Sequence, residues 1–84
     1  MKDQPFWLSF VDESDGHFLG VSIVMAPDWD MAVRTAWKLD CNPGGQVQIC
    51  PWPRGKPHPP AKWMNRVLTK EEVGNLEKEL ATMS

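Results

Sequence analysis

A proline-rich stretch, residues 51–60, carries three side chains that can bind an anion. Trp52, Arg54 and Lys56 alternate there with prolines and a glycine. An indole ring can stack on a base or a sugar, a guanidinium can donate two hydrogen bonds to one phosphate, and an ammonium adds a point charge. This pattern predicts a site for an anionic, nucleotide-like small ligand. The alternative interpretation is a solvated loop in which Trp52 is packed into the core.

A second candidate lies just before this loop, in the segment NPGGQ. Two successive glycines can adopt positive φ, so the backbone N–H groups of Gly44, Gly45 and Gln46 can converge on a phosphate or carboxylate. We expect these amides and the cationic loop to meet around one hollow. The structural alternative is a helix C-cap and a tight entry into a strand, both of which favour glycine.

The cysteines and histidines give weaker signals. Cys41, Cys50, His58 and His17 can be combined into a zinc site, but the Cys-x8-Cys-x7-His spacing matches no common structural zinc pattern. Free thiols are the expected state of both cysteines in a reducing compartment. Neither histidine lies in a recognised nucleophile motif, and the carboxylates occur in turns and at a helix start. We therefore expect no enzyme activity, no metal and no cofactor.

The formal charge is −2 and is distributed unevenly. Residues 34–70 carry seven basic side chains against Asp40, whereas residues 1–33 and 71–84 are both net acidic. The overall charge argues against a general nucleic-acid binder, while the central block can attract anions. Alternatively, these charges only solvate helix faces and pair with their neighbours.

Alternation of apolar residues predicts three strands. Residues 6–11 (FWLSFV) and 17–25 (HFLGVSIVM) flank a polar turn, and residues 46–50 (QVQIC) form a third, shorter strand. In the second strand we expect Leu19, Val21, Ile23 and Met25 to face the core.

Two helices are predicted around the third strand. The first begins after the N-cap Asp28, and its predicted apolar stripe consists of Trp29, Val33, Ala36 and Trp37. After one or two helical turns in residues 61–68, Thr69 and Glu72 form a capping box that starts a second helix near Lys70, with Val73, Leu76 and Leu80 facing inward.

These elements predict one α+β domain over residues 1–84. A right-handed crossover places the third strand beside the first, which gives a three-stranded antiparallel sheet in the order 2-1-3. We expect the helices to pack on one face and leave the other to water or a second subunit. The five Trp side chains of so short a chain also favour homo-oligomerisation.

No charged and apolar leader, and no apolar run of about 18 residues, is present in the sequence. We expect a cytoplasmic protein that does not bind membranes.

Four segments, FLGVSIV, APDWDMAVRTAWKL, CNPGG and MNRVLTKEE, together resemble a family of small proteins of tailed phages and prophages that has no established chemistry. The resemblance spans nearly the whole chain. It implies a mobile-element origin and a host-cell cytoplasm, and it assigns no active-site residues. Two functions follow as hypotheses: capture of an anionic ligand, in the phage context a host defence signal, or binding of a host or phage protein through the exposed sheet and Trp surface.

Overall fold

The computed structural model describes residues 2–53 and 55–83, and of Met83 the backbone only. Its elements, in chain order, are β1 (Gln4–Val11), β2 (Phe18–Ala26), α1 (Trp29–Lys38), β3 (Gln46–Pro51), a 3-10 turn (Ala61–Trp63) and α2 (Lys70–Met83). The predicted α+β class is confirmed, with a three-stranded antiparallel sheet in the order β2-β1-β3.

The two helices lie on opposite faces of the sheet, so the expectation that they share one face is wrong. In the β1–β2 register Phe6 pairs with Val24 and Trp7 with Ile23, which separates the odd and even positions of β1 onto different faces. The α1 face contains Phe6, Leu8, Phe10, Val24 and Ala26. Across the sheet, α2 packs on Val21 and Ile23. The second strand is therefore buried on both faces, which explains why its apolar residues barely alternate.

Helix α1 contacts the sheet through small side chains. Ala32 and Ala36 are fully buried against the β1 phenylalanines, while Trp29 and Trp37 point away from the core. The predicted stripe is wrong in assigning the two tryptophans to the interior, because alanines allow the helix backbone to approach the sheet more closely than indoles would. The predicted N-cap is confirmed: the Met31 amide donates to Oδ1 of Asp28 over 2.9 Å.

Helix α2 begins with the predicted capping box. The Glu72 amide donates to Thr69 Oγ1, and the Thr69 amide donates to Glu72 Oε1, each over 3.2 Å. Leu76 and Leu80 are buried against the sheet and Val73 is partly buried beside them, as expected. Of the described helices, none is long and apolar enough to cross a membrane.

The segment between the 3-10 turn and α2 covers the outer edge of β2. Val21 and Leu68 exchange two backbone hydrogen bonds, and the Asn65 amide donates to the carbonyl of Ile23. Gly20 permits this close approach, because a Cβ there would lie 2.4 Å from Cγ1 of Val67. The expected helical turns in residues 61–68 are thus limited to the 3-10 turn; residues 64–66 form a bend, with φ of 62° at Asn65, and Leu68 then pairs with Val21.

Candidate functional site

Two of the predicted ligand-binding residues, Trp52 and Lys56, line one pocket on the α2 side of the sheet. We call it the Trp52 pocket. It has a volume of about 170 Å³, and most of its lining residues are apolar. Its lining consists of Trp7, Cys50, Pro51, Trp52, Pro53, Lys56, Leu76, Glu77 and Leu80.

The Trp52 side chain is held in place by its own loop and by β1. Its Nε1 donates a hydrogen bond of 2.9 Å to the carbonyl of Pro57, and its ring lies 6.2 Å from that of Trp7. The loop is therefore closed on itself over five residues. The indole nitrogen is committed to this bond, which leaves only the ring face for a ligand.

Among the described residues that line the Trp52 pocket, the charges are balanced. Lys56 and Glu77 both line it, and both also line the neighbouring hollow formed with Gly55 and Pro57. One cation and one anion at the same opening give no net attraction for an anion. Arg54, the second predicted cation of this loop, lies outside the described residues.

The predicted amide site at Gly44, Gly45 and Gln46 does not meet this pocket. Gln46 pairs with Val11 at one end of β3, and Pro51 pairs with Phe6 at the other. Five residues of extended chain separate these ends by about 16 Å. The expectation of one common hollow is therefore wrong.

The glycines instead serve the entry into β3. The Gly44 amide is already bonded, since it donates to Oδ1 of Asn42 over 2.8 Å. Gly45 has φ of 75° and lies so close to β1 that a Cβ would be 2.2 Å from the carbonyl oxygen of Val11. Both observations agree with a tight entry into a strand, whereas the C-cap of α1 lies earlier, at Leu39.

Both cysteines carry free thiols, in different environments. Cys41 is buried at the end of α1, where its carbonyl accepts a hydrogen bond from Ser22 Oγ, and burial raises the pKa of its thiol. Cys50 is exposed at the Trp52 pocket. Nδ1 of His58 contacts the carbonyl of Pro59. Within the described residues, no three His, Cys, Asp or Glu side chains form a group that could hold a metal ion.

The exposed apolar surface is concentrated on one element. Among the described residues, the large hydrophobic side chains that are exposed all belong to α1 or to its C-cap. Trp29 and Trp37 are each 63% exposed and lie on one side of the helix with Val33 between them at four-residue spacing. Met31 and Leu39 occupy the opposite flank.

The Trp29 side of α1 faces β3. Trp29 and Ile49 line a common groove of about 440 Å³, with Phe6 and Pro51 beside them. Val47 and Ile49 pack partly on the α1 core and remain half-buried at the sheet edge. We name this region the α1–β3 surface and define it by five residues: Trp29, Val33, Trp37, Val47 and Ile49.

The outer edge of β3 carries backbone groups that have no partner in the part of the chain that the structure describes. The Trp52 amide donates to the carbonyl of Pro5 on β1, and backbone direction alternates along an antiparallel ladder. Val47 and Ile49 consequently direct their N–H and C=O groups away from β1. Across the described chain no other backbone group bonds to them. Gln46–Pro51 contains no charged residue, although charges are a common protection of exposed strand edges.

Sequence reasoning missed this surface because it placed Trp29 and Trp37 in the core. One signal in the sequence pointed the other way. Ala32 and Ala36, at helical spacing, offer a narrow face on which a helix can pack closely, and the indoles then fall on the flank.

Comparison with protein-family models, with curated proteins and with solved structures finds no match to this chain.

Proposed function

We propose that this protein is a non-catalytic protein-interaction module that binds its partner through the α1–β3 surface. The observation that carries the proposal is the exposure of Trp29 and Trp37 beside a strand edge whose backbone groups have no partner among the described residues. Tryptophan is strongly enriched among residues that dominate binding energy at protein interfaces.

The exposed strand edge and the groove beside it favour a partner that binds as an extended segment. An extended segment that pairs with β3 gains main-chain hydrogen bonds from Val47 and Ile49, and its alternate side chains enter the groove beside Trp29. The resemblance to phage proteins makes a host protein the first partner to test.

This function fits the geometry better than capture of an anion. The amide site and the cationic loop lie at opposite ends of β3, and Glu77 offsets Lys56 at the pocket. An interface through α1 and β3 needs neither feature.

The test is affinity capture with matched variants, from host lysate that also contains an untagged copy of the chain. The wild-type chain is expected to recover one stoichiometric partner, and Trp29→Ala/Trp37→Ala is expected to lose it. Met31→Ala/Leu39→Ala, which removes the apolar residues of the opposite flank, is the control and should retain it. Equal recovery by both double variants would refute the proposal.

A small-ligand function at the Trp52 pocket is the second candidate, because Trp52 and Lys56 line the same pocket. Its ligand would be an anionic, nucleotide-like molecule, which in a phage context includes a host defence signal. A thermal-shift screen with a nucleotide panel tests it. A stabilisation that Lys56→Ala removes and Lys78→Ala leaves intact would support this function, and no response to any nucleotide would reject it.

A further inference from the structure

We propose that the α1–β3 surface binds a second copy of this chain, by antiparallel pairing of β3 with β3 about a two-fold axis at Gln48. The proposal rests on the interaction function above and names its partner. The product is a continuous six-stranded sheet, with the two α1 helices antiparallel on the same face.

The free backbone groups fit this register. With Gln48 opposite Gln48, Val47 of each copy stands opposite Ile49 of the other. These are the residues whose N–H and C=O groups point outward, so the two pairs exchange four hydrogen bonds. Their branched side chains lie on the α1 face as cross-strand neighbours, a favourable pairing.

The sheet can pair with a second copy at its β3 edge, whereas its β2 edge is already covered. Residues 65–68 already occupy the outer edge of β2 through three backbone hydrogen bonds. The uncharged strand β3 can lie beside its own copy without opposing like charges. The absence of charge matters at a two-fold interface, because each residue near the axis lies opposite the same residue, or a close neighbour of it, in the other copy.

Charge along α1 favours the antiparallel arrangement of the helices. Asp28 and Asp30 stand at its start, whereas Arg34 and Lys38 lie in its second half, before Asp40. A two-fold axis sets the acidic start of one helix opposite the basic half of the other. Asp30 and Arg34 lie 3.5 Å apart within one helix, and both side chains are more than half exposed, so they remain open to the charges of a second copy.

The tryptophans match the space between the two helices. Because α1 packs over β1 and β2, three strand spacings of about 4.8 Å place the helices at least about 14 Å apart. That exceeds the roughly 8–10 Å of helices in direct contact. Trp29 and Trp37 of both copies are large enough to fill such a gap.

The available area is also adequate. With Trp29 and Trp37 each 63% exposed, the four indoles of a dimer offer roughly 600 Å², about half of the ~1,200 Å² at the lower end of stable interfaces. The paired strand edges and the half-buried Val47 and Ile49 add to this area.

Sedimentation equilibrium tests the dimer directly. We expect twice the chain mass of 9.6 kDa, and Trp29→Ala/Trp37→Ala should raise the dimer Kd at least about tenfold. Gln48→Lys should raise it roughly fivefold, since like charges then stand directly opposite. An equimolar mixture of Gln48→Lys and Gln48→Glu should restore wild-type affinity, which separates charge repulsion from misfolding.

Disulfide crosslinking tests the register. In a Cys50→Ser background, Gln48→Cys should form a disulfide-linked dimer under mild oxidation, because directly opposed residues have Cβ atoms about 4.5–5.5 Å apart. Gln46→Cys in the same background is the matched control. It stands opposite position 50 of the other copy and should remain monomeric on denaturing gels.

Three results would overturn the proposal: a wild-type chain that stays monomeric at its solubility limit, a dimer unaffected by Gln48→Lys, or equal crosslinking at positions 46 and 48. A monomer that still captures a host protein through Trp29 and Trp37 would refute the second copy as partner and leave the interaction function standing. A wild-type chain that neither dimerises nor captures a partner would refute both proposals.

Discussion

The indole nitrogen of Trp63 donates a hydrogen bond of 2.8 Å to Oε2 of Glu79, and thereby joins the 3-10 turn to α2 across 16 residues of chain. Lys62 Nζ lies 3.1 Å from the same oxygen and 5.3 Å from the centroid of the Trp63 ring. The indole hydrogen bond, with the ammonium beside it, holds the pKa of Glu79 below its usual range.

This relationship predicts acid sensitivity. A carboxyl group whose pKa is lowered by folding stabilises the fold above its unfolded value, about 4.3, and that stabilisation is lost as the pH falls through the lower folded value. Glu72 acts in the same direction, because the Thr69 amide and Arg66 lower its pKa. The urea midpoint of unfolding should fall as the pH is lowered from neutral into this acid window, and the fall should be smaller in Glu79→Gln. An equal fall in Glu79→Gln would contradict a stabilising role for the Glu79 carboxylate.

The proline-rich loop depends on the bond between Trp52 and Pro57. Trp52→Phe keeps an aromatic ring near Trp7 but removes the N–H donor and leaves the Pro57 carbonyl without it. We expect a loss of about 1 kcal/mol in the free energy of unfolding, together with faster proteolysis within residues 53–58. Trp7→Phe makes the same change of ring without removing a described hydrogen bond. Similar proteolysis of the two variants would show that ring size matters and the donor does not.

The two glycines before β3 should differ in their tolerance of alanine. Gly44 has φ of 91°, and a Cβ there would meet no atom within 4 Å, so Gly44→Ala costs only backbone strain, about 1–2 kcal/mol. Gly45→Ala adds an overlap with the backbone of Val11 and should cost clearly more. Chemical denaturation of the two variants measures the difference. Equal losses would mean that Gly45 does not approach β1 closely enough to exclude a Cβ.

The two thiols should react at different rates. Cys50 is exposed, whereas Cys41 is 1% exposed and burial raises its thiol pKa, which lowers its thiolate fraction at neutral pH. One thiol per chain should therefore react quickly with a disulfide reagent, and the second only after unfolding. Cys50→Ser should remove the fast phase. A fast phase that persists in Cys50→Ser would contradict the burial of Cys41.

Local patterns in the sequence determined the elements. Alternation defined the three strands within about two residues at their ends, Asp28 defined the start of α1, and Thr69 with Glu72 defined the start of α2. These signals act over a few residues, through side-chain direction and the free amides at a helix start. The strand order β2-β1-β3 was also predicted from the sequence, because a right-handed crossover from β2 through α1 places β3 beside β1.

Tertiary structure alone decided which helix covers which face. Phe6, Leu8 and Phe10 give β1 one fully apolar face, but the sequence does not say which helix covers it or that the face with Trp7 is covered as well. The folded chain uses both sides, with α1 on Phe6 and α2 on the Trp7 side. The exposure of Trp29 and Trp37 depends on the same arrangement.

The candidate site shows the same division. Residue types identified Trp52 and Lys56 as neighbours of a pocket, since they share one short loop. The distance to Gly44 and Gly45 could not be read from sequence, because β3 is short in residues but extends about 16 Å in space. The sequence by itself determined the elements, since their causes are local. Only the tertiary structure decided which surfaces they leave exposed, since exposure depends on contacts between residues far apart in the chain.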